Sequence, residues 1–161
     1  MAQSLEVQIG RLLHERGLKL VLAESCTGGL LGSRITDVAG SSEYFLASVV
    51  AYAYEAKAEL LGVSWDTLNT RGAVSRETVL EMARGIRNRM KADIGMSVSG
   101  IAGPGGGTPE KPVGTTWIGL VTGDGEWAKT FQFWGDREEN KKSAADAALH
   151  FLLDYLEGKQ N

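Results

Sequence analysis

The stretch LKLVLAESCTGG, residues 18–29, decides the fold of this 161-residue chain. Residues 18–23 form an apolar run of strand length, and a polar turn that ends in glycine follows it. From Leu30 onward the apolar residues recur at the spacing of one helix face until Gly40. A strand that leads through a glycine-containing turn into a helix is one building unit of an α/β protein.

Further apolar runs along the chain also have the length and composition of strands. The last two are separated by Gly123, Asp124 and Gly125, and Asp-Gly between apolar runs is a hairpin signal. The earlier connections contain helical patterns and are long enough for parallel crossovers. The predicted strands are residues 18–23, 46–53, 94–98, 115–122 and 127–134.

Polar caps and glycines mark the helix boundaries. Ser4 and Gly17 bound the first helix, and Ser75 caps a long helix through about Ala92. The spacing of apolar residues in this long helix predicts a buried stripe. Its predicted members are Val79, Met82, Ala83, Ile86 and Met90. The predicted helices begin near residues 5, 30, 55, 64, 75 and 136, the last with a capping box of Asp136 and Glu139.

The order of these elements predicts the architecture. Helical patterns alternate with the first strands, whereas the last strands follow each other directly. We therefore predict a single three-layer α/β/α domain over residues 1–161, with a mixed, mostly parallel sheet of about five strands. The length is sufficient for one domain with a sizeable core.

Composition excludes several classes of function. The net charge is -3 and no run of Lys and Arg stands out, so binding to nucleic acid has little electrostatic support. No apolar stretch is long enough to span a bilayer, and the N-terminus does not resemble a signal peptide. Because the only cysteine is Cys26, no internal disulfide can form. We expect a soluble, cytoplasmic protein that acts without membrane or nucleic-acid partners.

Two glycine-rich loops follow predicted strands. In open α/β sheets, ligands bind beyond the carboxyl ends of the strands, which selects residues 24–29 and 99–107. Glycine makes up 21 of the 161 residues and clusters in both loops. Glycine at such places allows the backbone to approach a ligand closely. The second loop matches no Walker A or dinucleotide-binding pattern, so its ligand stays open.

Ser25 lies where the first strand turns into a helix. The amides of Thr27, Gly28 and Gly29 at the helix start would be free to hold a phosphate or the oxyanion of an acyl-transfer intermediate. Ser25 is then a candidate nucleophile, and the alternative is that it only caps the helix. Cys26 is a rival nucleophile, although we prefer to interpret it as a small buried apolar residue.

A serine nucleophile needs a base, and histidine is a poor candidate here. His14 and His150 both lie in predicted helices, away from the carboxyl ends of the strands. Lys57, at the start of the helix after the second strand, can serve if burial keeps its amine neutral. A solvated surface lysine is the commoner case for a lone lysine. We expect no metal and no cofactor, because neither histidines nor carboxylates cluster.

Several longer motifs carry a resemblance to a known family. They are Ala23-Glu24-Ser25-Cys26-Thr27-Gly28-Gly29, Ala39-Gly40-Ser41-Ser42, Gly72-Ala73-Val74-Ser75, residues 99–108, Lys111-Pro112-Val113-Gly114-Thr115 and Gly135-Asp136-Arg137. In this order they resemble the CinA C-terminal domain family, which includes nicotinamide-nucleotide amidase. The resemblance covers nearly the whole chain.

The resemblance implies a reaction and a set of residues. Water would replace the amide nitrogen of nicotinamide mononucleotide, giving nicotinate mononucleotide and ammonia without a metal. Ser25 would be the nucleophile, Lys57 the base and Tyr52 a residue that assists proton transfer or positions the serine. Arg137 would contact the phosphate. The substrate would be lined by Thr27, Gly28, Gly29, Ser99, Gly100, Ile101, Ala102, Gly103, Gly105 and Gly106.

The chain departs from the family pattern near Lys57. The family usually has Tyr-Ser-Asn where this chain has Tyr52-Ala53-Tyr54, and it tends to carry glycine where Ser48 stands. These changes leave open a non-catalytic nucleotide-binding module, or an amidase for a different amide. A role in protein interaction alone would not explain the two glycine-rich loops. A homo-oligomer, with a dimer favoured, is also expected, with Trp117 and Trp134 as core or interface residues.

Overall fold

The computed structural model describes residues 2–159, so residues 1, 160 and 161 of the predicted domain lie outside the described residues. The strands are β1 Leu20–Glu24, β2 Phe45–Val50, β3 Ile94–Gly100, β4 Thr115–Thr122 and β5 Gly125–Gln132. The α-helices are α1 Leu5–Arg16, α2 Leu30–Thr36, α3 Tyr54–Leu61, α4 Trp65–Arg71, α5 Arg76–Met90 and α6 Arg137–Leu156.

The strands form one mixed sheet in the order β2-β1-β3-β4-β5. β1 pairs in parallel with both β2 and β3, while β4 is antiparallel to β3 and to β5. β4 alone therefore runs against the other strands. The prediction of a mixed α/β sheet of about five strands is confirmed.

The apolar run of β1 is buried on both faces, which is why it shows no alternation in the sequence. Leu20 and Leu22 pack into a cluster shared with α1, α2 and α6. Val21 and Ala23 pack into a second cluster with residues of α3, α4 and α5. Helices thus cover both faces of the sheet, as the sequence predicts.

The caps form as expected at the main helix boundaries. The Ser75 hydroxyl accepts a hydrogen bond from the Thr78 amide at 3.2 Å, and α5 begins there. Asp136 and Glu139 form the predicted capping box of α6. The prediction that Met90 belongs to the buried stripe is wrong, because Met90 is the last residue of α5 and is 38% exposed.

Several strand boundaries differ from the predictions. β1 covers residues 20–24 rather than 18–23, β3 extends to Gly100 rather than residue 98, and β5 ends at Gln132, so that Trp134 lies outside it. β2 ends at Val50 rather than residue 53, since the chain turns away at Ala51 and begins α3 at Tyr54. The hairpin has a tight turn in which Thr122 pairs with Gly125, so β5 begins earlier than predicted. The carboxyl ends of β1, β2 and β3 meet at one edge of the sheet. No helix within residues 2–159 is long and apolar enough to cross a bilayer.

Candidate active site

Ser25 occupies the first position after β1, in a turn that the backbone holds closed. The Ser25 amide donates to the Val98 carbonyl of β3 at 3.0 Å, and the Gly28 amide donates to the Ser25 carbonyl at 3.1 Å. The N-cap of α2 is Gly29, whose φ is 106°. Ser25 therefore does not cap the helix, and the capping interpretation is wrong. The Ser25 hydroxyl is therefore not used by a helix-capping hydrogen bond.

That hydroxyl meets the amine of Lys57. Lys57 Nζ lies 2.9 Å from Ser25 Oγ, and the lysine side chain is fully buried. Two backbone carbonyls complete its surroundings, Ala51 at 2.9 Å and Tyr52 at 2.8 Å. Within residues 2–159 no carboxylate forms a salt bridge with this amine. The interpretation of Lys57 as a solvated surface lysine is wrong.

Burial lowers the pKa of Lys57 from 10.5 to about 8. A neutral amine has two N–H groups and one lone pair, and an ammonium has three N–H groups. In the neutral form the two carbonyls accept both N–H groups, and the lone pair is left for the Ser25 proton. In the protonated form all three oxygens accept. The amine can therefore gain and lose a proton without moving, as a general base must.

Cys26 has surroundings unsuited to a nucleophile. The side chain is buried, and burial raises the pKa of the thiol to about 11. Its sulfur packs against β3, since a Cβ added to Gly100 would lie 3.2 Å from Cys26 Sγ. The thiol therefore stays protonated near neutral pH and behaves as a small apolar residue.

Tyr52 and Arg137 contact each other beside the segment that binds Lys57. Arg137 donates through one guanidinium nitrogen to the Gly103 carbonyl at 2.7 Å and through another to the Tyr52 hydroxyl at 3.2 Å. Tyr52 itself is 59% exposed, and its carbonyl is one of the Lys57 acceptors. The structure thus connects Arg137 to Lys57 through Tyr52, but the Tyr52 hydroxyl is directed to Arg137 rather than to Ser25.

Residues 101–114 form a loop that side chains of α6 hold in place. Asn140 donates to the Ala102 carbonyl at 3.0 Å, next to the Gly103 carbonyl that accepts from Arg137. The amide of Ile101 bonds to the Thr115 carbonyl at 2.9 Å. Gly105 has open space around it, and Gly106 has a φ of 90°. These contacts tie the loop to α6 and to β4, and they leave open space at Gly105.

Some residues predicted to line the substrate also have contacts within the protein. Ser99 and Gly100 are the last residues of β3, and Ser99 is buried. Gly100 pairs with Thr116, and a Cβ there would lie 2.6 Å from the Thr116 hydroxyl. The Thr27 hydroxyl donates to Glu24 Oε1 at 2.7 Å, so only the Thr27 backbone is available to a ligand.

Sequence reasoning missed the role of Glu24. Its carboxylate is fully buried and accepts hydrogen bonds from the Leu31 amide at 2.9 Å and the Gly32 amide at 3.0 Å. The hydroxyls of Thr27 and Ser48 also donate to it. This carboxylate joins β1, β2 and the first turn of α2, and so fixes the turn that carries Ser25. A charged residue at the end of an apolar strand was the available signal.

The remaining polar side chains do not gather as metal ligands. Across residues 2–159, no group of three or more His, Cys, Asp and Glu side chains has the arrangement of a cation site. The reactive groups at this site are the Ser25 hydroxyl, the Lys57 amine and the backbone amides of the turn after Ser25.

Known proteins resemble this chain over most of its length. The CinA C-terminal domain model matches residues 2–156. A putative competence-damage inducible protein of Halothermothrix orenii is 54% identical over 155 residues, and a CinA-like protein of Chloroherpeton thalassium is 49% identical over 156 residues. They cover 95% and 94% of this chain, which spans 37% of the length of each.

Solved structures of similar proteins have the same fold. The competence damage-inducible protein A of Klebsiella pneumoniae superposes with a TM-score of 0.92 at 37% identity, covering 97% of both chains. A competence/damage inducible protein of Agrobacterium tumefaciens gives 0.89 at 37% identity, covering 98% of this chain and 99% of its own. The family model and the solved structures thus cover nearly the whole chain, and this chain belongs to the CinA C-terminal domain family.

Proposed function

We propose that this protein is an amidohydrolase that converts nicotinamide mononucleotide to nicotinate mononucleotide and ammonia. The observation that carries the proposal is the buried Lys57 amine at 2.9 Å from the Ser25 hydroxyl, with no carboxylate paired to it in the described chain. With a pKa of about 8, this amine can lose its proton near neutral pH and then act as the base that activates an adjacent serine. The nicotinamide nucleotide as substrate rests on the family resemblance.

The first half of the reaction forms an ester on Ser25. Lys57 takes the hydroxyl proton as Ser25 Oγ attacks the carboxamide carbon, which gives a tetrahedral intermediate with a negatively charged oxygen. The C–N bond then breaks, and the Lys57 ammonium gives its proton to the leaving nitrogen, which departs as ammonia. The acyl group stays on Ser25, and Lys57 is neutral again.

The second half restores the enzyme. Lys57 takes a proton from water as the water oxygen attacks the ester carbon. When the bond to Ser25 Oγ breaks, the ammonium returns the proton to that oxygen, and nicotinate mononucleotide leaves as the acid. The whole cycle consumes one water and one amide and produces one acid and one ammonia, so one lysine serves both halves.

Backbone amides near Ser25 support the charged intermediate. The amides of Cys26, Thr27 and Gly29 have no hydrogen-bond acceptor among residues 2–159, whereas the Gly28 amide is used within the turn. Unpaired amides beside a nucleophile are the usual donors to an oxyanion. Of the three predicted donors, Thr27 and Gly29 therefore stay candidates, and Cys26 joins them.

The decisive test is ammonia release from nicotinamide mononucleotide. We expect turnover by the wild type and loss of at least about a thousandfold in Ser25→Ala, because the attacking atom is removed. Ser33→Ala, an exposed serine on α2, is the matched control and should keep its activity. Normal turnover by Ser25→Ala would contradict the mechanism.

A second candidate function is suggested by Tyr54, which stands where the family usually has asparagine. In that case the protein binds a nucleotide without hydrolysing it, or it hydrolyses a different amide. The Tyr54 ring contacts Trp65, with 6.5 Å between ring centroids, at the first turn of the helix that carries Lys57. Its hydroxyl lies near Gly72, where Lys111 Nζ also approaches. Calorimetric binding of the nucleotide without ammonia release would support the binding module. A panel of amides would identify another substrate.

We also infer a cytoplasmic homodimer. Trp134, just after the edge strand β5, is 83% exposed, and large exposed aromatic side chains are frequent at interfaces. Light scattering of the wild type and of Trp134→Ala tests the assembly. A monomeric wild type at micromolar concentration would contradict it.

A further inference from the structure

The sheet has two edge strands, β2 and β5, and only β5 is regular along its whole length. In β2 one extra residue, Leu46, lies between the residues that pair with Leu20 and Val21 of β1. Such a bulge interrupts the row of backbone groups along an edge. All eight residues of β5 pair with β4 without a shift in register. β5 is therefore the edge that offers a second strand an unbroken partner.

The outer side of β5 carries backbone groups that β4 does not use. The Phe133 amide donates to the Gly114 carbonyl of the neighbouring chain segment at 3.0 Å. Inward and outward groups alternate along an antiparallel strand, so Phe131 also bonds inward while the N–H and C=O of Thr130 and Gln132 point away from the sheet. Thr130 is exposed. A second strand can therefore bond to these groups.

The charges at this edge already have partners within the chain. Residues 127–134, WAKTFQFW, contain one charged side chain, Lys129. Its Nζ lies 4.6 Å from the centroid of the Phe151 ring, so the charge is turned toward α6. Glu126, just before this stretch, has its Oε1 2.7 Å from a guanidinium nitrogen of Arg84. Exposed, unpaired charges are a common protection of edge strands, and β5 has little of that protection.

A groove of about 460 Å³ lies between β5 and α6. Phe131 and Phe133 form one wall, with their rings stacked at 6.0 Å between centroids, and Phe151 of α6 lies opposite in the same groove. Its other walls come from Lys129, Ser143, Asp146, Ala147, His150 and Asp154. The β5–α6 groove thus has an aromatic centre and polar residues around it, as protein interfaces have.

Trp134 continues this surface beyond the end of β5. It is 83% exposed, the most exposed large apolar side chain among residues 2–159, and it directly follows Phe133 of the groove. The free strand edge, the β5–α6 groove and Trp134 therefore form one continuous surface. In a two-fold dimer each copy presents the same surface to the other, so a protruding side chain next to a groove can serve both copies.

We infer that the second copy of the proposed homodimer binds at β5, with the two β5 strands paired antiparallel about a two-fold axis at Phe131. The inference rests on the homodimer proposed from Trp134 and adds the place of its interface. An axis at Lys129 would set two lysines opposite each other, which is unfavourable. With the axis at Phe131, Lys129 of each copy faces Phe133 of the other, and an amine can lie against an aromatic ring. The two sheets then become one continuous sheet.

Substitutions on the two edges of the sheet test the interface by light scattering. Phe131→Asp removes a central ring and sets two carboxylates at the axis, so we expect Kd of the dimer to rise at least about a hundredfold. Thr130→Pro removes an outward N–H that β4 does not use, so it should weaken the dimer about tenfold while circular dichroism stays that of the wild type.

The matched control is Leu46→Asp, which changes an exposed apolar residue on the opposite edge. It should leave Kd of the dimer unchanged. If Leu46→Asp dissociates the dimer while Phe131→Asp and Thr130→Pro do not, the interface lies at β2 and the inference is wrong.

Cross-linking tests the position of the axis. Cys26 is the only native cysteine, so Cys26→Ala combined with Phe131→Cys leaves one thiol per chain. Opposite residues in a pair without hydrogen bonds have Cα atoms about 4.5 Å apart, a separation that suits a disulfide. Mild oxidation should therefore give a covalent dimer, whereas Cys26→Ala with Leu46→Cys should stay monomeric under denaturing conditions. Equal cross-linking of both variants would overturn the inference.

These experiments distinguish failure of this interface from failure of the homodimer. A wild type that is monomeric at micromolar concentration contradicts the homodimer, but oxidation of Phe131→Cys at millimolar concentration still tests whether β5 strands pair. A stable wild-type dimer that neither Phe131→Asp nor Thr130→Pro weakens would leave the homodimer in place. It would show that the second copy binds elsewhere and that the β5–α6 groove has another occupant, which would overturn the inference.

Discussion

The Lys57 amine contacts the Ser25 hydroxyl at 2.9 Å although the two residues come from different strand-helix units. Ser25 follows β1, and Lys57 lies in the helix after β2. The parallel pairing of β1 with β2 brings the two carboxyl ends together.

Replacing Lys57 by methionine should remove the base while keeping the volume of the side chain. We expect ammonia release to fall by about a hundredfold to ten-thousandfold, the usual contribution of a general base. Lys57→Arg should be as defective, because a guanidinium does not lose its proton near neutral pH. Turnover and circular dichroism are measured together, so that a loss of folding is not taken for a loss of catalysis. Wild-type rates in Lys57→Met would refute the role.

The pH dependence of activity should report the Lys57 amine. Its pKa is lowered to about 8, so kcat/KM should rise with pH and level off above that value. An ordinary lysine would place the midpoint near 10.5. A rate that falls as pH rises from 6 to 9, in an enzyme that stays folded, would contradict a neutral-lysine mechanism.

The same shift makes stability depend on pH with a defined sign. Because the folded pKa of Lys57 is below the unfolded one, the unfolded chain binds more protons between about pH 8 and 10.5. The free energy of unfolding should therefore gain about 3 kcal/mol from this residue across that interval. Urea denaturation of the wild type and of Lys57→Met, at about pH 8 and at about pH 10.5, isolates the contribution of Lys57 to the free energy of unfolding. If the free energy of unfolding rises less with pH in the wild type than in the variant, the predicted sign is wrong.

Glu24 should be required for the geometry of the Ser25 turn. In Glu24→Gln one oxygen becomes an NH₂ group that faces N–H and O–H donors, so buried donors lose their acceptor. We expect a loss of about 1–3 kcal/mol in the free energy of unfolding. Ser48→Ala removes a single donor and should cost less. Denaturant melts of both variants provide the comparison, and a neutral Glu24→Gln would show that the carboxylate is dispensable.

Gly32 and Ser48 should be energetically coupled. A Cβ added to Gly32 would lie 2.9 Å from the Ser48 Cβ and 3.2 Å from Glu24 Oε2. Gly32→Ala should therefore destabilise by about 1–3 kcal/mol, and less in a Ser48→Gly background, where the clashing atom is absent. A double-mutant cycle measures the coupling. Strict additivity of the two changes would show that the contact has no consequence.

Cys26 should react slowly with thiol reagents in the folded protein. Burial and a pKa of about 11 leave very little thiolate at neutral pH. Labelling with a disulfide reagent should become fast only after denaturation, and Cys26→Ala should keep ammonia release within about threefold. Rapid labelling of the native protein that abolishes its activity would contradict this prediction and make Cys26 a candidate nucleophile again.

Local patterns in the sequence predict most of the fold. The apolar run of β1, the caps at Ser4 and Ser75 and the capping box at Asp136 are signals carried by a few neighbouring residues, and all are found in the structure. The end of β2 was predicted late because Ala51–Ala53 continue a strand-like composition. What ends the strand is the turn into α3, which depends on the packing of that helix.

The candidate site is less visible in the sequence because its contacts are between distant residues. The position of Ser25 follows from the rule for strand ends, but Lys57 alone resembles a surface lysine and was favoured only through the family resemblance. The role of Glu24 depends on Ser48, which is adjacent only once β1 and β2 pair. A pattern along one segment does not contain that information.

The double hydrogen bond of Arg137 has a consequence for biosynthesis. Arg137 begins the helix that follows all five strands, yet it joins the loop after β3 to the segment after β2. A nascent chain that has emerged from the ribosome only as far as β5 already possesses the serine and the lysine. The two contacts of Arg137 are still missing at that stage, and they can form only when α6 docks.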